Sequence, residues 1–373
     1  MIFTGQHAAL DPGDYGLSGY PAIILGCAGR ADPHEHAATV EAALLDLLRD
    51  PPDLVIVQGD TSSALGGARA AATAGVPLAH VEAGLRTGDP ALPWPEEDYR
   101  VEIDTIADLL FAPTVLSAFN LACERTPGQV HVTGNTSVDA LLAVIADFPP
   151  PNLRESTLPR VLVTCHRRES WGEGIASVAA AVSDLARAGI ASCDVIVPPN
   201  AHVAETLNNA LADLPNVNLH PPCPHRELLQ RMRDCDLVLS DSGGMQEEAP
   251  VLGVPLLILR DKTERPEGID TGNMRLVGTD RERIVREVRR LLSDPLAYAA
   301  MSQGAALRRR PCRAAHRGDH RAMAGRKRNG DPYGTRTRVF AVRGRRPRPL
   351  DEGASAESGG AICEPRGRSS IRP

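Results

Sequence analysis

The chain has 373 residues, enough for two domains of ordinary size, and 42% of them are apolar, enough for packed cores. Its net charge of −6 is uneven, because residues 307–373 carry 18 Lys/Arg and 6 Asp/Glu, a net of +12, and the rest of the chain therefore carries −18. The sequence has no run of 18 apolar residues, no signal-peptide pattern at its start and no C-x-x-C among its eight cysteines, which argues against a membrane span, a secretory leader, a zinc site and a disulfide framework.

Short apolar runs alternate with Ala-rich helical stretches along the first 300 residues. We predict strands at Ala22–Leu25, Leu54–Val57, Leu78–Val81, Leu109–Ala112, Val130–Val132, Val161–Thr164, Val195–Val197, Val217–Leu219, Leu237–Ser240, Leu256–Leu259 and Leu276–Val277. We predict helices at Ala37–Leu48, Ala64–Ala74, Ser117–Glu124, Val138–Ile145, Ala176–Ala188, Ala204–Leu211, Arg226–Met232 and Arg281–Leu292. Most of the apolar runs are continuous, which is typical of parallel strands buried on both faces. The alternation predicts doubly wound α/β domains.

A proline-rich segment divides this pattern. Asp147–Pro159 has four prolines in thirteen residues, the composition of an interdomain linker. We therefore predict an N-terminal domain over residues 1–148 and a C-terminal domain over 149–305, with a ligand between the two sheets. Residues 306–373 lack apolar periodicity, so we expect a disordered basic tail. It is either an arm for an acidic surface or solvated sequence without a role; we favour the second, with no nucleic-acid partner.

Acidic side chains mark three places in the first half. Asp60 ends the strand in VIVQGDTSS, either as a catalyst or as the N-cap of the next helix. Glu82 ends the strand in LAHVEAGLRTGD, and because an unpaired buried charge is costly we expect an ion pair with Arg86 and a functional role. Glu96 and Glu97 follow Pro-Trp-Pro and either start a helix or add a third carboxylate to the site. Several carboxylates in one cleft suit acid–base catalysis.

Cationic side chains follow two strands of the second half. His166, Arg167 and Arg168 end the strand in VLVTCHRRES, and Arg265 follows a later strand in TERPE. At the carboxyl ends of neighbouring strands, their charges would neutralise phosphate oxygens.

The segment 237–267 combines a glycine turn with acids. A strand runs into Ser242, Gly243 and Gly244 and then a short helix, whose N-terminal N–H groups would close on an anion. Glu247 and Glu248 follow at once. Carboxylates there repel a bare phosphate but suit ribose hydroxyls beside a diphosphate. The segment therefore predicts half of a nucleotide-sugar site.

Six motifs in order carry a resemblance to a known family. GDTSS, HVEAGLRTGD, PWPEEDYR, TCHRRES, SDSGGMQEEAP and RDKTERPE, spread over about residues 1–295, resemble the non-hydrolysing UDP-N-acetylglucosamine 2-epimerases. The resemblance implies two Rossmann-like domains in a glycosyltransferase-B-like arrangement, with the active site in the cleft. It also implies a homodimeric cytoplasmic isomerase of cell-envelope polysaccharide biosynthesis that needs no metal or other cofactor.

The activity implied by the resemblance is interconversion of UDP-GlcNAc and UDP-ManNAc. UDP is eliminated to a 2-acetamidoglucal intermediate and then added back, with C2 protonated from the opposite face. By position the implied catalytic residues are Asp60, Glu82, Glu96 and His166, and the implied UDP-binding residues are Arg168, Ser242, Gly243, Gly244, Glu248 and Arg265.

The chain departs from the family at three places. The family's first strand and its Gly-Thr-Arg-Pro-Glu loop have no counterpart, so the chain starts at what resembles the second strand, IFTGQH. The match dissolves after about Ala300 into a tail that resembles translation in a shifted frame. Pro198 and Pro199 stand where many members have a histidine for allosteric UDP-GlcNAc, and Gln6 and His7 remain as allosteric candidates.

Two other hypotheses stay open. One is a defective relative that binds UDP-sugar without turnover, because an absent central strand exposes sheet edges and lowers solubility. The other is a glycosyltransferase of the same architecture, against which the acids of PWPEE and HVEAG argue, since transfer alone needs no acid–base groups on both sugar faces.

Overall fold

The structure is a computed structural model that describes residues 1–6, 13, 17, 19–149 and 158–302. Its strands are β1 (Ile2–Phe3), β2 (Ile23–Ile24), β3 (Val55–Gln58), β4 (Leu78–Val81), β5 (Leu109–Ala112), β6 (Gln129–Val132), β7 (Arg160–Thr164), β8 (Ser192–Ile196), β9 (Val217–His220), β10 (Leu237–Ser240), β11 (Leu256–Ile258) and β12 (Met274–Leu276). Its helices are α1 (Pro33–Leu47), α2 (Ser62–Ala74), α3 (Glu96–Ile106), α4 (Val115–Glu124), α5 (Thr136–Ile145), α6 (Glu173–Arg187), α7 (Ala201–Leu211), α8 (His225–Arg233), α9 (Gly243–Leu252), α10 (Glu267–Asp270), α11 (Arg281–Ser293) and α12 (Pro295–Ser302).

The strands form three parallel sheets, which confirms the predicted α/β class. Their orders are β1-β2, β3-β4-β5-β6 and β12-β11-β10-β7-β8-β9. Each predicted strand and helix is present, with ends that differ by a few residues. Strand β1 and helices α3, α10 and α12 lie outside the predicted ranges. The sequence offered α3 only as one alternative for Glu96 and Glu97, whereas α10 is only four residues long and α12 comes where the apolar pattern ends.

The six-stranded sheet is buried on both faces, as continuous apolar strands require. Val161 and Val163 of β7 belong to the core on one face, which α6 and α11 cover. Leu162, between them, belongs to the core on the other face with Val238 of β10. Strands β7 and β10 pair in parallel, in register Leu239↔Val163, so their carboxyl ends and the polar loops that follow lie side by side.

The four-stranded sheet is held by α1 and α2 through a close glycine contact. A Cβ added at Gly66 of α2 would lie 2.6 Å from the carbonyl oxygen of Ala37 in α1, so only glycine allows this approach. Asp32 caps α1 by accepting the N–H of His34, and Thr61 caps α2 by accepting the N–H of Ala64. These caps fix where the helices begin after the strand-end loops.

The β1–β2 pair is separate from the four-stranded sheet. Within the described residues no strand pairs with β3 on the side away from β4. Ile24 of β2 is 70% exposed and Ile56 of β3 is 63% exposed, unusual values for a doubly wound sheet.

The division into two domains near residue 150 stays a prediction. Helix α5 precedes the predicted linker, but its Val138 and Leu141 pack with Met245 of α9 in the core that contains Leu162 and Val238 of the six-stranded sheet. Most of the linker and the predicted disordered tail lie outside the described residues. No helix in the described part of the chain is long and apolar enough to cross a bilayer.

Candidate active site

A cavity of about 440 Å³ lies between the four-stranded and the six-stranded sheets. Asp60 and Glu96 line it from the first sheet, and His166 and Arg168 line it from the second. Gln6, an allosteric candidate from the sequence, also lines it, whereas His7 lies outside the described residues. The structure therefore brings together predicted residues that are more than a hundred positions apart in sequence.

Asp60 is free of the capping role, because Thr61 is the N-cap of α2. Instead, Oδ2 of Asp60 accepts a hydrogen bond from Nη2 of Arg100 at 2.5 Å. The guanidinium of Arg100 is almost fully buried and also lies 3.2 Å from Glu97. A buried cation on α3 thus compensates the Asp60 carboxylate at the cavity wall. Sequence reasoning missed Arg100, and its only signal was a cation four residues after Glu96, one turn along the helix.

Glu82 directly follows β4 and has a φ of 71°, in the region that favours glycine. A non-glycine residue held there is costly, and such positions are common at functional sites. Its Oε1 lies 3.3 Å from Nη2 of Arg265 and 3.4 Å from Nδ2 of Asn135. Arg265 lies between β11 of the six-stranded sheet and α10. The predicted ion pair with Arg86 is wrong, because Arg86 donates to Glu124 instead.

Asp104 of α3 explains why Arg86 turns away from Glu82. One carboxylate oxygen of Asp104 accepts the N–H of Gly84 at 3.0 Å and lies 2.8 Å from Nη2 of Arg86. The other lies 2.6 Å from Nδ1 of the buried His80. The carboxylate is fully buried and holds the loop after β4 in place, which fixes the backbone at Glu82.

Glu96 is the first residue of α3, as the sequence predicted for a helix start, and it also faces the cavity. Burial raises the pKa of Glu96, and the nearby charge of Asp60 adds to the rise, while Arg167 opposes it. Nη1 of Arg167 lies 3.7 Å from Oε1 of Glu96, across the cleft. Glu96 therefore holds a proton more readily than an exposed glutamate, as an acid–base group near neutral pH requires.

Two buried polar atoms at the cavity lack partners. Oε2 of Glu96 and Oη of Tyr99 have no hydrogen-bond partner among the described residues. Burial raises the pKa of Tyr99 to about 12, so its hydroxyl stays protonated and able to donate. Unsatisfied buried groups are rare in native proteins, and both of these atoms belong to residues that line the cavity.

His166, Arg167 and Arg168 lie in the loop after β7 and begin a short 3₁₀ turn at Arg168. The backbone N–H groups of His166 and Arg167 both donate to Asp241, which follows β10. The side chain of His166 is 49% exposed. Asp241 thus holds the backbone of the loop, and the side chains of His166, Arg167 and Arg168 line the cavity.

The glycine turn brings the start of α9 against two arginines. A Cβ added at Gly243 would lie 3.2 Å from Nη1 of Arg265 and 3.4 Å from Nη2 of Arg167. Ser242, the residue before the helix, makes no side-chain capping bond. The α9 N-terminus and both guanidinium groups therefore meet at one corner, together with Oε1 of Glu264, which would lie 3.3 Å from the same Cβ.

Arg265 lies among three carboxylates. It donates to Glu247 at 2.6 Å, to Glu264 and to Glu82. Burial raises the pKa of Glu247, whereas the cations Arg265 and Arg260 outweigh burial and lower the pKa of Glu264. Glu248, the predicted ribose-binding acid, accepts from Nε2 of His225 at 2.6 Å, and this pair raises the pKa of His225 against the effect of burial.

Gly244 is the second residue of α9 and has open space around its Cα, with only Ser242 Oγ within 4 Å of an added Cβ. Among the residues that the structure covers, no cluster of His, Cys, Asp and Glu has the arrangement of a metal site. The side chains described above that surround the predicted site are mainly carboxylates and guanidinium groups.

Sequence comparison relates the chain to a set of bacterial enzymes. The sequence profile described as UDP-N-acetylglucosamine 2-epimerase matches residues 1–308. A protein from Ralstonia nicotianae named "Probable UDP-N-acetylglucosamine 2-epimerase" is 43% identical over 268 residues, covering 68% of this chain and 71% of that protein. The UDP-N-acetylglucosamine 2-epimerase of Escherichia coli K12 is 42% identical over 266 residues, covering 68% and 70%.

Structural comparison finds proteins described as the same enzyme. The UDP-GlcNAc 2-epimerase of Neisseria meningitidis, solved with UDP-GlcNAc bound, superposes with a TM-score of 0.72 at 33% identity and covers 79% of this chain and 86% of that chain. The enzyme of Methanocaldococcus jannaschii, solved with UDP-GlcNAc and UDP, gives 0.70 at 30% identity, with 83% and 89% covered.

Proposed function

The chain belongs to the UDP-N-acetylglucosamine 2-epimerase family, an isomerase family, and we propose that it interconverts UDP-GlcNAc and UDP-ManNAc in the cavity between its two sheets. One observation carries the proposal for the site. The acids Asp60 and Glu96, which follow β3 and begin α3, line one cavity of about 440 Å³ together with His166 and Arg168 from the loop after β7. That volume falls within the usual range of about 300–1,000 Å³ for small-molecule sites.

The reaction requires proton transfer at C2 of the sugar and stabilisation of a leaving diphosphate. A base removes the C2 proton, the C2–H electron pair forms the C1=C2 double bond, and the C1–O bond breaks with its electrons leaving on UDP. UDP then returns to C1, and C2 takes a proton on the opposite face. Asp60, Glu82 and Glu96 supply the acid–base groups, and the raised pKa of Glu96 suits this exchange.

The cations hold UDP. Arg265 and the N-terminus of α9 at Ser242 and Gly243 would bind the diphosphate, with Arg168 at the far side of the cavity. His166 would exchange a proton with the leaving oxygen. Glu248 would accept from ribose hydroxyls in place of its present donor His225.

Isotope exchange tests the reaction. We expect the purified chain, incubated with UDP-GlcNAc in D₂O, to form UDP-ManNAc with deuterium at C2, and to incorporate deuterium into recovered UDP-GlcNAc. Proton NMR follows both the new anomeric signal and the loss of the C2 proton. Protein that binds UDP but forms no UDP-ManNAc would contradict the proposal and support the defective-relative hypothesis.

The assembly and location follow from family membership alone. We propose a homodimer in the cytoplasm that supplies a nucleotide sugar for cell-envelope polysaccharide. Light scattering coupled to size-exclusion chromatography measures the dimer directly, and a monomeric mass with full turnover would refute it. Cell fractionation tests the location.

A further inference from the structure

Asp241 lies directly after β10, beneath the loop that carries His166. Its side chain is completely buried. Oδ2 accepts the backbone N–H groups of His166 and Arg167, each at 2.8 Å, and a weaker bond from Sγ of Cys165 at 3.2 Å. One carboxylate oxygen is thus saturated by groups of the β7 loop.

The other oxygen, Oδ1, faces the imidazole of His166. Oδ1 lies 3.1 Å from Nδ1 of His166, although the angle is not that of a regular hydrogen bond, and no other hydrogen bond reaches Oδ1 from the described residues. A buried carboxylate oxygen without a donor is costly. A proton on Nδ1 of His166 is therefore strongly favoured, because it gives Oδ1 a donor.

The carboxylate remains charged despite its burial. Burial alone raises the pKa of Asp241, but the contact with His166, the N–H of Arg167 and the Cys165 thiol together lower the pKa below its ordinary value. A carboxylate, unlike a carboxylic acid, can only accept at both oxygens. Asp241 therefore discriminates between the two neutral forms of His166.

We propose that Asp241 is a positioning residue that keeps the proton of neutral His166 on Nδ1 and leaves Nε2 facing the cavity. When the ring carries a second proton, Nε2–H gives it to the departing diphosphate oxygen, and the ring is left neutral with its proton on Nδ1. Nε2 then takes the proton back from UDP as UDP returns to C1. This role in proton transfer rests on the proposed function; the control of the ring proton does not. The side chain of His166 is half-exposed and lines the cavity. The charged side chains that line the cavity with it are Asp60, Glu96, Arg167, Arg168 and Glu169.

The substitution Asp241→Asn separates positioning from simple anchoring of the loop. The amide oxygen of Asn can still accept both backbone N–H groups, so the loop keeps its anchor. The amide NH₂ then takes the place of Oδ1 and donates to Nδ1 of His166. The neutral ring must accept at Nδ1, which moves its proton to Nε2.

Nitrogen-15 NMR of the full-length chain measures the ring proton directly. With ¹⁵N-labelled histidine, and with His166 assigned by its loss in His166→Gln, we expect Nδ1–H in the wild type and Nε2–H in Asp241→Asn. Turnover of UDP-GlcNAc should fall by roughly 10²–10⁴-fold in Asp241→Asn, while the dissociation constant for UDP changes by less than about threefold.

Cys165→Ala is the matched control, because it removes a donor from Oδ2 and leaves Oδ1 untouched. In Cys165→Ala, the position of the His166 ring proton and the turnover should match those of the wild type. Neutral His166 protonated on Nε2 in the wild type would overturn the inference without any variant. An unchanged ring proton in Asp241→Asn, or equal loss of turnover in Cys165→Ala, would also overturn it. A wild type that does not turn over UDP-GlcNAc would refute the proposed function, and the NMR result would still decide the role of Asp241.

Discussion

Glu82→Gln removes a charge from the site with almost no change in shape. Oε1 of Glu82 makes two long contacts, 3.3 Å to Arg265 and 3.4 Å to Asn135, and the oxygen of Gln can accept both. Arg265 keeps its contacts with Glu247 and Glu264. If Glu82 transfers a proton at C2, turnover should fall by roughly 10²–10⁴-fold, a rise of about 3–5.5 kcal/mol in the activation free energy.

The same contacts predict that UDP affinity and stability survive Glu82→Gln. Burial, and to a lesser degree the charge of Glu82, raises the pKa of Glu247, so removing that charge relieves a repulsion. We expect the UDP dissociation constant to stay within about threefold of the wild type, measured by calorimetry, with kcat from NMR of UDP-ManNAc formation. Glu102→Gln is the control, since Glu102 also pairs with an arginine, but that arginine is Arg69 of α2 and not Arg265. Turnover within tenfold of the wild type, or a large loss of UDP binding, would refute a proton-transfer role for Glu82.

Three further changes have defined outcomes. Gly243→Ala places a methyl group 3.2 Å from Nη1 of Arg265 and should weaken UDP binding, measured by calorimetry, by about tenfold, or ~1.4 kcal/mol. Gly244→Ala, which has open space for its methyl group, should weaken UDP binding less. Equal losses of UDP affinity in the two variants would contradict this. Glu96→Gln should lower turnover and raise the free energy of unfolding, and the gain should be larger at pH 7 than at pH 4. The pKa of Glu96 is higher in the folded than in the unfolded state, so protonation of Glu96 favours the folded state. The wild type therefore loses stability as pH rises from the unfolded-state pKa through the folded-state pKa, and Gln at this position avoids that loss. Denaturant unfolding at pH 4 and pH 7 checks the sign. Ile56→Thr, on the open edge of β3, should raise the solubility measured by precipitation while changing the free energy of unfolding by less than about 0.5 kcal/mol, and an unchanged solubility would show that this edge does not drive association.

The strands and the location of the site could be predicted because both depend on local pattern. A continuous apolar run such as Leu237–Ser240 has few alternatives to a buried parallel strand, and the structure has this strand with the same ends. Polar residues that follow such strands meet at one edge of a sheet. That rule, together with the predicted linker between two domains, placed Asp60 and His166 at a common cleft.

The partners of these residues could not be predicted, because they come from elements far away in sequence. Arg86 is four residues from Glu82, but the turn at Gly84 directs it to Asp104, and Glu82 instead meets Arg265, 183 residues later. Asp104 carries no local signal of function, and the motifs that contain Arg100 and Asp241 do not show which residues these two side chains contact. Each is recognised only when tertiary packing shows a buried charge with a defined partner.

The ion pairs across the cleft constrain how an anionic ligand can bind. Arg265 already contacts Glu82 and Glu247, and Arg167 lies 3.7 Å from Glu96. A diphosphate that takes these cations must compete with the carboxylates for them. The contact of Arg265 with Glu82, at 3.3 Å, is longer than its contact with Glu247, at 2.6 Å, so the contact with Glu82 is the easier one to give up. We therefore expect a diphosphate that binds Arg265 to displace Glu82 first, which would couple UDP binding to the release of Glu82 through one guanidinium group.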